Sequence, residues 1–239
     1  MVQADLRRIL SGAWERRESL RKSSQAYRIF HGPGEGAGWL ARIAIDRFAE
    51  SYWITDWESA PAAGLKTIAE FLLERGAHAA VVQTREAKGE ERLGLPRCLA
   101  GEALEERLVV HEGVLKFWVQ VAGVKHPGLF LDHARLREWL VQHARGLRVL
   151  NLFAYTGSLS VACGVGGAKQ VVTLDLSKPT VAWARDNWDL NGLPMIGAEF
   201  ISGDVFDWLP RLAKKDRQFD LVICDPPSFS RAPSGVFST

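Results

Sequence analysis

The sequence is poor in cysteine, methionine and tyrosine, with three, two and three of them in 239 residues. Cys98, Cys163 and Cys224 are odd in number and far apart, with no C-x-x-C pair among them. That spacing excludes a disulfide framework and a cysteine-based zinc site, and it points to a reducing, cytoplasmic setting. A strong charge of one sign is also missing. The 30 Lys and Arg against 28 Asp and Glu leave +2, so net charge announces neither a nucleic acid nor a membrane. No basic-then-apolar leader opens the chain. The one long uncharged run, residues 149–168, has the length of a membrane span. It contains Asn151, Tyr155, Thr156, Ser158, Ser160 and four glycines, so a buried strand, a turn and a helix are expected there instead. What is present is an ordinary globular composition, 47% hydrophobic and 24% charged, enough apolar surface for a core. The length corresponds to about 1.6 domains.

Residues 5–22 have the pattern of a basic amphipathic helix. Leu6, Leu10, Ala13 and Trp14 share one face, and Arg7, Arg8, Arg16, Arg17, Arg21 and Lys22 lie largely around the other. Such a face is either solvated or a phosphate-contacting arm. Strands are expected at 27–30, 42–48 and 52–57, a glycine-rich segment at 32–38, a helix at 62–75 and an apolar strand at 78–83. Residues 85–101 have the composition of a loop. A hairpin is expected around Glu112-Gly113, because Leu115, Phe117, Val119 and Val121 alternate with polar positions. The first half is therefore a small α+β module.

The pattern changes near Gly128. A helix is expected at 132–145, with Leu136, Trp139, Leu140 and His143 on its apolar face. Strands at 147–152, 170–175, 198–202 and 219–224 then alternate with helices at 156–165, 179–190 and 204–212. Apolar strands alternating with helices give right-handed crossovers and a parallel sheet covered on both faces. Cys163 and Cys224 are expected as buried small hydrophobes, Trp183 and Trp188 as core, and His111, His126 and His143 as structural.

In such a sheet, ligands bind outside the carboxyl ends of the strands. The first strand runs out through Asn151, Phe153 and Thr156 to Gly157, where the backbone can turn tightly. The second ends at Asp175, a carboxylate placed to accept both hydroxyls of a ribose. The third leads to Asp204, able to accept from an adenine amino group while capping the next helix. The fourth ends in Asp225-Pro226-Pro227-Ser228-Phe229. A dinucleotide oxidoreductase requires G-x-G-x-x-G after the first strand, and only one glycine stands in that turn. A nucleoside ligand without phosphate, such as S-adenosylmethionine, fits better.

The segment LNLFAYTGSLSVACGVGGAKQVVTLDLSKPTVAWARDNWDLNG, the aspartate of GDVFDWL and the run DPPSFS together resemble the class I S-adenosylmethionine-dependent methyltransferases that modify 23S ribosomal RNA bases. The similar branches act on cytosine carbon-5 and guanine nitrogen-7. The resemblance is strong over 125–231 and looser over 27–121. It implies a Rossmann-like α/β methyltransferase sheet, with its first four strands present, preceded by a small α+β module. The implied domains are a basic N-terminal helix at 1–26, the α+β module at 27–124 and the methyltransferase domain at 125–239. The resemblance implies that Asn151, Phe153, Thr156 and Gly157 surround the methionine part of the cofactor. Asp175 holds the ribose, with Leu176 and Ser177 beside the adenine and Asp204 contacting it. Asp132 and His133 close over the cofactor, while Asp225, Pro226, Pro227 and Phe229 face the target base. The family usually has Asp-His-Arg where this sequence has Asp132-His133-Ala134, with Arg135 one place later. The sheet of such enzymes resembles seven strands, so a C-terminally truncated enzyme is expected. Ribosomal RNA is the implied partner, with no metal and no membrane. Two other readings are a noncatalytic RNA-binding fragment and a nucleotide-dependent oxidoreductase.

Overall fold

The computed structural model describes residues 3–85, 94–102, 106–227, 229–232 and 235–238. Clustering of contacts divides the chain into two compact units, Met1–Val114 with Val119–Pro127, and Leu115–Trp118 with Gly128–Thr239.

The first unit begins with α1 (Gln3–Arg16) and α2 (Glu18–Arg21), followed by β1 (Ala26–His31), α3 (Gly32–Glu35) and a 3-10 turn (Gly38–Arg42). It continues through β2 (Ile43–Phe48), β3 (Ser51–Asp56), α4 (Ala62–Leu73), β4 (Ala79–Thr84), β5 (Arg97–Gly101) and β6 (Leu108–Glu112). Strands β1 to β5 form one sheet in sequence order. Only the β3–β4 pair is parallel, because α4 carries the chain back across the sheet between them. Leu6, Leu10 and Ala13 of α1 and Leu65, Ile68 and Leu72 of α4 bury against Ile29, Ile43, Ile45, Ile54 and Val82. The apolar stripe read from residues 5–22 is thus the inner face of α1. Its arginines are paired: Arg7 donates twice to Glu74 at 2.7 and 2.8 Å, and both Arg16 and Arg17 reach Glu35. Strand β5 replaces part of the loop expected at 85–101. It is a mostly exposed edge strand held by backbone pairing to β4, so it carries no alternating apolar signal.

The strand β7 (Leu115–Val119) completes the expected hairpin with β6, and its residues 115–118 open the second unit. The unit then runs α5 (Ala134–His143), β8 (Arg148–Leu152), α6 (Ser158–Val165), β9 (Gln170–Asp175), α7 (Lys178–Leu190), β10 (Ala198–Ser202), α8 (Val205–Lys214) and β11 (Leu221–Cys224). A short hairpin, β12 (Phe229–Ala232) and β13 (Gly235–Ser238), follows. The central sheet is parallel with order β10-β9-β8-β11. Leu150, Leu152, Val172, Leu174 and Ile201 face Val205 and Leu212 of α8. Strand alternation turns Asn151 and Thr173 to the opposite face, where they bond Ser160 of α6. Phe200 turns the same way and meets Trp188 of α7 edge-on. Helices therefore cover both faces, and the direction of winding changes between β8 and β11.

Two expectations about burial are corrected. The inner face of α5 is Arg137 and Leu140, whereas Leu136 and Trp139 are 38% and 46% exposed. Trp139 stacks on His143 instead, 4.5 Å between centroids. Cys224 is exposed, because β11 pairs only with β8 and opens the face carrying Val222 and Cys224. Cys163 is buried as expected, and burial pushes its thiol up to about 12.

Candidate functional site

The site is built at the carboxyl ends of β10, β9, β8 and β11, where the topology leaves a crevice. After β8 the chain turns through two left-handed residues, Phe153 and Tyr155, into Gly157. Gly157 has φ 73°, and a Cβ on it would lie 2.7 Å from the Cβ of Ala184. Only glycine opens α6 at this point without strain. The Tyr155 amide donates to Asp175 Oδ2 at 2.8 Å and the Ser177 amide to Asp175 Oδ1 at 2.9 Å. Both carboxylate oxygens are therefore aimed by backbone, each keeping further acceptor capacity. Ser177 then caps α7, accepting from Thr180. Leu176 between them is exposed.

Asp204 lies beside Asp175 because the Gly203 amide donates to the Asp175 carbonyl at 2.9 Å. Its Oδ1 accepts from the Phe206 amide, so it caps α8. On the far side of β8, Asp225, Pro226 and Pro227 follow β11 directly, and Asp225 Oδ2 lies 3.4 Å from His133 Nε2. Phe229 begins β12, and its side chain lies outside the described residues. Asp132 is exposed at the start of the α5 turn.

Two predicted residues point inward. The Asn151 amide is buried and donates to Ser160 Oγ at 2.9 Å, within a network that Thr173 Oγ1 joins at 2.8 Å. Thr156 is buried too, and its hydroxyl proton goes to the Gly128 carbonyl. These two side chains brace the turn.

Sequence reasoning missed what fastens residues 128–133. Residues 128–133 are fastened by Thr156 at Gly128 and by Arg137 Nη1, which donates to the Phe130 carbonyl at 2.9 Å. Gly128 has φ 92°, and a Cβ there would lie 2.4 Å from Trp183. Arg137 is 0% exposed, with its guanidinium carbon 5.5 Å from the Phe117 ring centroid. Arg135, the neighbour of the missing family arginine, instead points outward toward Glu138 at 3.6 Å. The ring of Phe130 rests 5.0 Å from Tyr155, whose hydroxyl burial pushes up to about 12.

The donor set suits a nucleoside. It offers an oriented carboxylate for a diol, exposed apolar Leu176 and Phe206 beside it for a flat base, and no multiple-glycine loop for a pyrophosphate. Among the described residues, no group of three His, Cys, Asp or Glu could hold a metal, and no helix is long and apolar enough to cross a membrane.

Comparison with known proteins agrees with this geometry. The ribosomal RNA large subunit methyltransferase K/L of a Shewanella species is 36% identical over 205 residues, covering 80% of this chain and 28% of that protein. The protein of the same name from another Shewanella strain is 45% identical over 134 residues, covering 55% of this chain and 18% of that protein. The chain thus spans less than a third of the curated relatives it matches. The crystal structure of SMU.776, described as a methyltransferase and complexed with SAH, superposes over 100% of this chain and 61% of its own. The TM-score is 0.86 and the identity 25%. The family model for S-adenosylmethionine-dependent methyltransferases matches residues 27–238, and the chain belongs to that family.

Proposed function

We propose that this chain carries the cofactor side of an enzyme that methylates a base of large-subunit (23S) ribosomal RNA in the cytoplasm. The observation that carries the reading is Asp175, held by the Tyr155 and Ser177 amides at the end of β9. S-adenosylmethionine, when bound, supplies a methyl group activated on a sulfonium. In this reading Asp175 accepts from the ribose hydroxyls. Leu176 and Ser177 flank the adenine, and Asp204 contacts it while capping α8. Phe153 and Gly157 line the methionine part, with Asn151 and Thr156 bracing the turn from below. Asp132 and His133 form part of the cover. Asp225, Pro226, Pro227 and Phe229 face the acceptor base, which leaves its stack to reach them. His133 and Asp225, 3.4 Å apart, form a pair able to hold a proton at that edge. The names of the relatives support the choice of ribosomal RNA.

The test is calorimetry with S-adenosylhomocysteine, followed by transfer of labelled methyl to large- and small-subunit ribosomal RNA. The chain is expected to bind the cofactor product. Asp175→Ala is expected to weaken that binding by roughly tenfold or more, the scale of lost charge-assisted hydrogen bonds, while far-ultraviolet circular dichroism stays unchanged. Equal affinity in the variant would remove the ribose role. Label entering only small-subunit RNA would remove the large-subunit assignment.

A further inference from the structure

The basic helix at the amino terminus is largely neutralised within the fold, since Arg7, Arg16 and Arg17 all reach carboxylates. The opposite face of the five-stranded sheet, turned away from α1 and α4, is different. Arg28 pairs across to Asp46, Asp46 to Trp53, and Trp53 to Val81, so these four stand in one row on one face. Strand alternation continues that face along β4 through Gln83 to Arg85, one residue past the strand end. Gln83 Nε2 donates to the Lys125 carbonyl at 2.9 Å, which brings Lys125 and His126 over the same face. His31 joins at the other end, with its Nδ1 3.4 Å from Arg28 Nη1.

Among the described residues the charges named here do not cancel. Arg28, Arg85 and Lys125, with the imidazoles of His31 and His126, meet Asp46, and Arg28 already holds both Asp46 oxygens at 2.7 and 3.0 Å. Arg85 Nε is buried and has no hydrogen-bond partner among the described residues. A buried guanidinium donor without an acceptor is costly, and folding does not repay that cost here. Burial, then Arg28, lowers the Arg85 pKa against the opposing effect of Asp46. Burial, then Arg85 and Lys125, lowers that of His126. Lys125 and His31 are exposed and Arg85 is half-buried, so the positive surface runs from Arg85 out to solvent. That extent suits a run of phosphates better than one enclosed ion.

We propose that the basic rim of this face, where Arg28, Arg85 and Lys125 gather with His31 and His126 beside the buried Asp46, Trp53, Val81 and Gln83, is a binding site for the phosphodiester backbone of single-stranded RNA, with Arg85 as its innermost ligand. The proposal rests on the RNA reading above, but its test does not use the cofactor. The affinity of the full chain for a short labelled single-stranded RNA is measured by fluorescence anisotropy between about 50 and 200 mM salt. Arg85→Gln is expected to weaken binding and to lower the slope of log K against log salt by about 0.7, one phosphate contact on a single strand. Arg85→Lys, which keeps the charge, is expected to retain most of the slope. The thermal midpoint of Arg85→Gln should equal or exceed that of the parent, since a half-buried cation whose Nε lacks a hydrogen-bond partner is removed.

An unchanged slope in Arg85→Gln, or no RNA binding by the parent chain, overturns the proposal. So does a large loss of stability in both variants, which would make Arg85 a structural residue. Inorganic phosphate titrated at constant ionic strength separates the two sources of the anion. If phosphate raises the midpoint of the parent but not of Arg85→Gln, while the RNA slopes coincide, the site serves a small anion and the RNA assignment falls. Loss of S-adenosylhomocysteine binding by the parent would instead overturn the methyltransferase reading and leave the salt slope standing.

Discussion

Glu35 shows how a single side chain can fix a local structure. Burial alone would raise its pKa, yet hydrogen bonds from Arg17, Arg16 and the His31 amide outweigh burial and bring it from the usual 4.5 to about 2. Arg17 donates to both carboxylate oxygens at 2.8 and 2.9 Å, Arg16 to one at 2.7 Å, and the His31 amide at 2.8 Å. The carboxylate thus ties the end of α1 to the β1–α3 junction. A lowered folded pKa gives stability that is fully present above the unfolded value and is lost as pH falls through the folded one. The stability gap between the parent and Glu35→Gln should therefore be constant above about pH 5 and close progressively from there toward pH 2. Urea unfolding across that range measures it, and a gap independent of pH would show that Glu35 acts only by packing. At this scale the sequence was partly legible. Asp175 could be placed because a strand-end acid needs only its position along the chain. Asn151 could not, because its partners Ser160 and Thr173 lie on two other elements.

The elements themselves were largely readable, since β9 and β10 follow from local apolar runs and α7 from its helical period. Helix α5 shows where that signal fails. Leu136, Trp139, Leu140 and His143 form a good apolar stripe, but the helix is rotated so that Arg137 faces inward. The deciding contacts, the Phe130 carbonyl and the Phe117 ring, come from outside the helix and leave no trace in its periodicity. Helix α6 buries Leu159, Val161, Ala162 and Cys163, and a buried polar network adds to them on the sheet side. Ser160 Oγ serves both Asn151 Nδ2 and Thr173 Oγ1, and all three residues are buried. Ser160→Ala would strand two polar groups at once. The expected cost is about 1–3 kcal/mol for each group left unsatisfied, read as a lower denaturation midpoint at unchanged slope. The double variant Ser160→Ala, Thr173→Val removes one of the stranded groups and should recover part of the loss. Failure of any recovery would mean that the Thr173 hydroxyl does not depend on Ser160.

At the scale of the whole chain, the residues group into two compact units. The boundary falls inside the hairpin, so that residues 115–118 group with the four-stranded parallel sheet. Asn191 takes the Lys116 amide and Asn187 the Trp118 amide, while Trp183 donates to the Trp118 carbonyl. Residues of α7 and the position just after it thus hold a strand that composition alone would assign to the preceding module. This has a consequence for ligand binding. Asn187 also donates to the Thr156 carbonyl in the turn that leads to Gly157. The cofactor turn, α7 and residues 115–118 are therefore joined by one chain of hydrogen bonds. A ligand seated on Asp175 binds the folded unit, and by linkage it stabilises that unit by about 2.7 kcal/mol at one hundred times its dissociation constant. Saturating S-adenosylhomocysteine should raise the thermal midpoint of the parent and leave that of Asp175→Ala where it was. Asn187→Ala should begin from a lower midpoint and still rise with ligand, because it loosens the support while leaving the ribose carboxylate in place. If Asn187→Ala loses the ligand response as completely as Asp175→Ala, the support and the contact are not separable, and Asn187 belongs to the binding site itself.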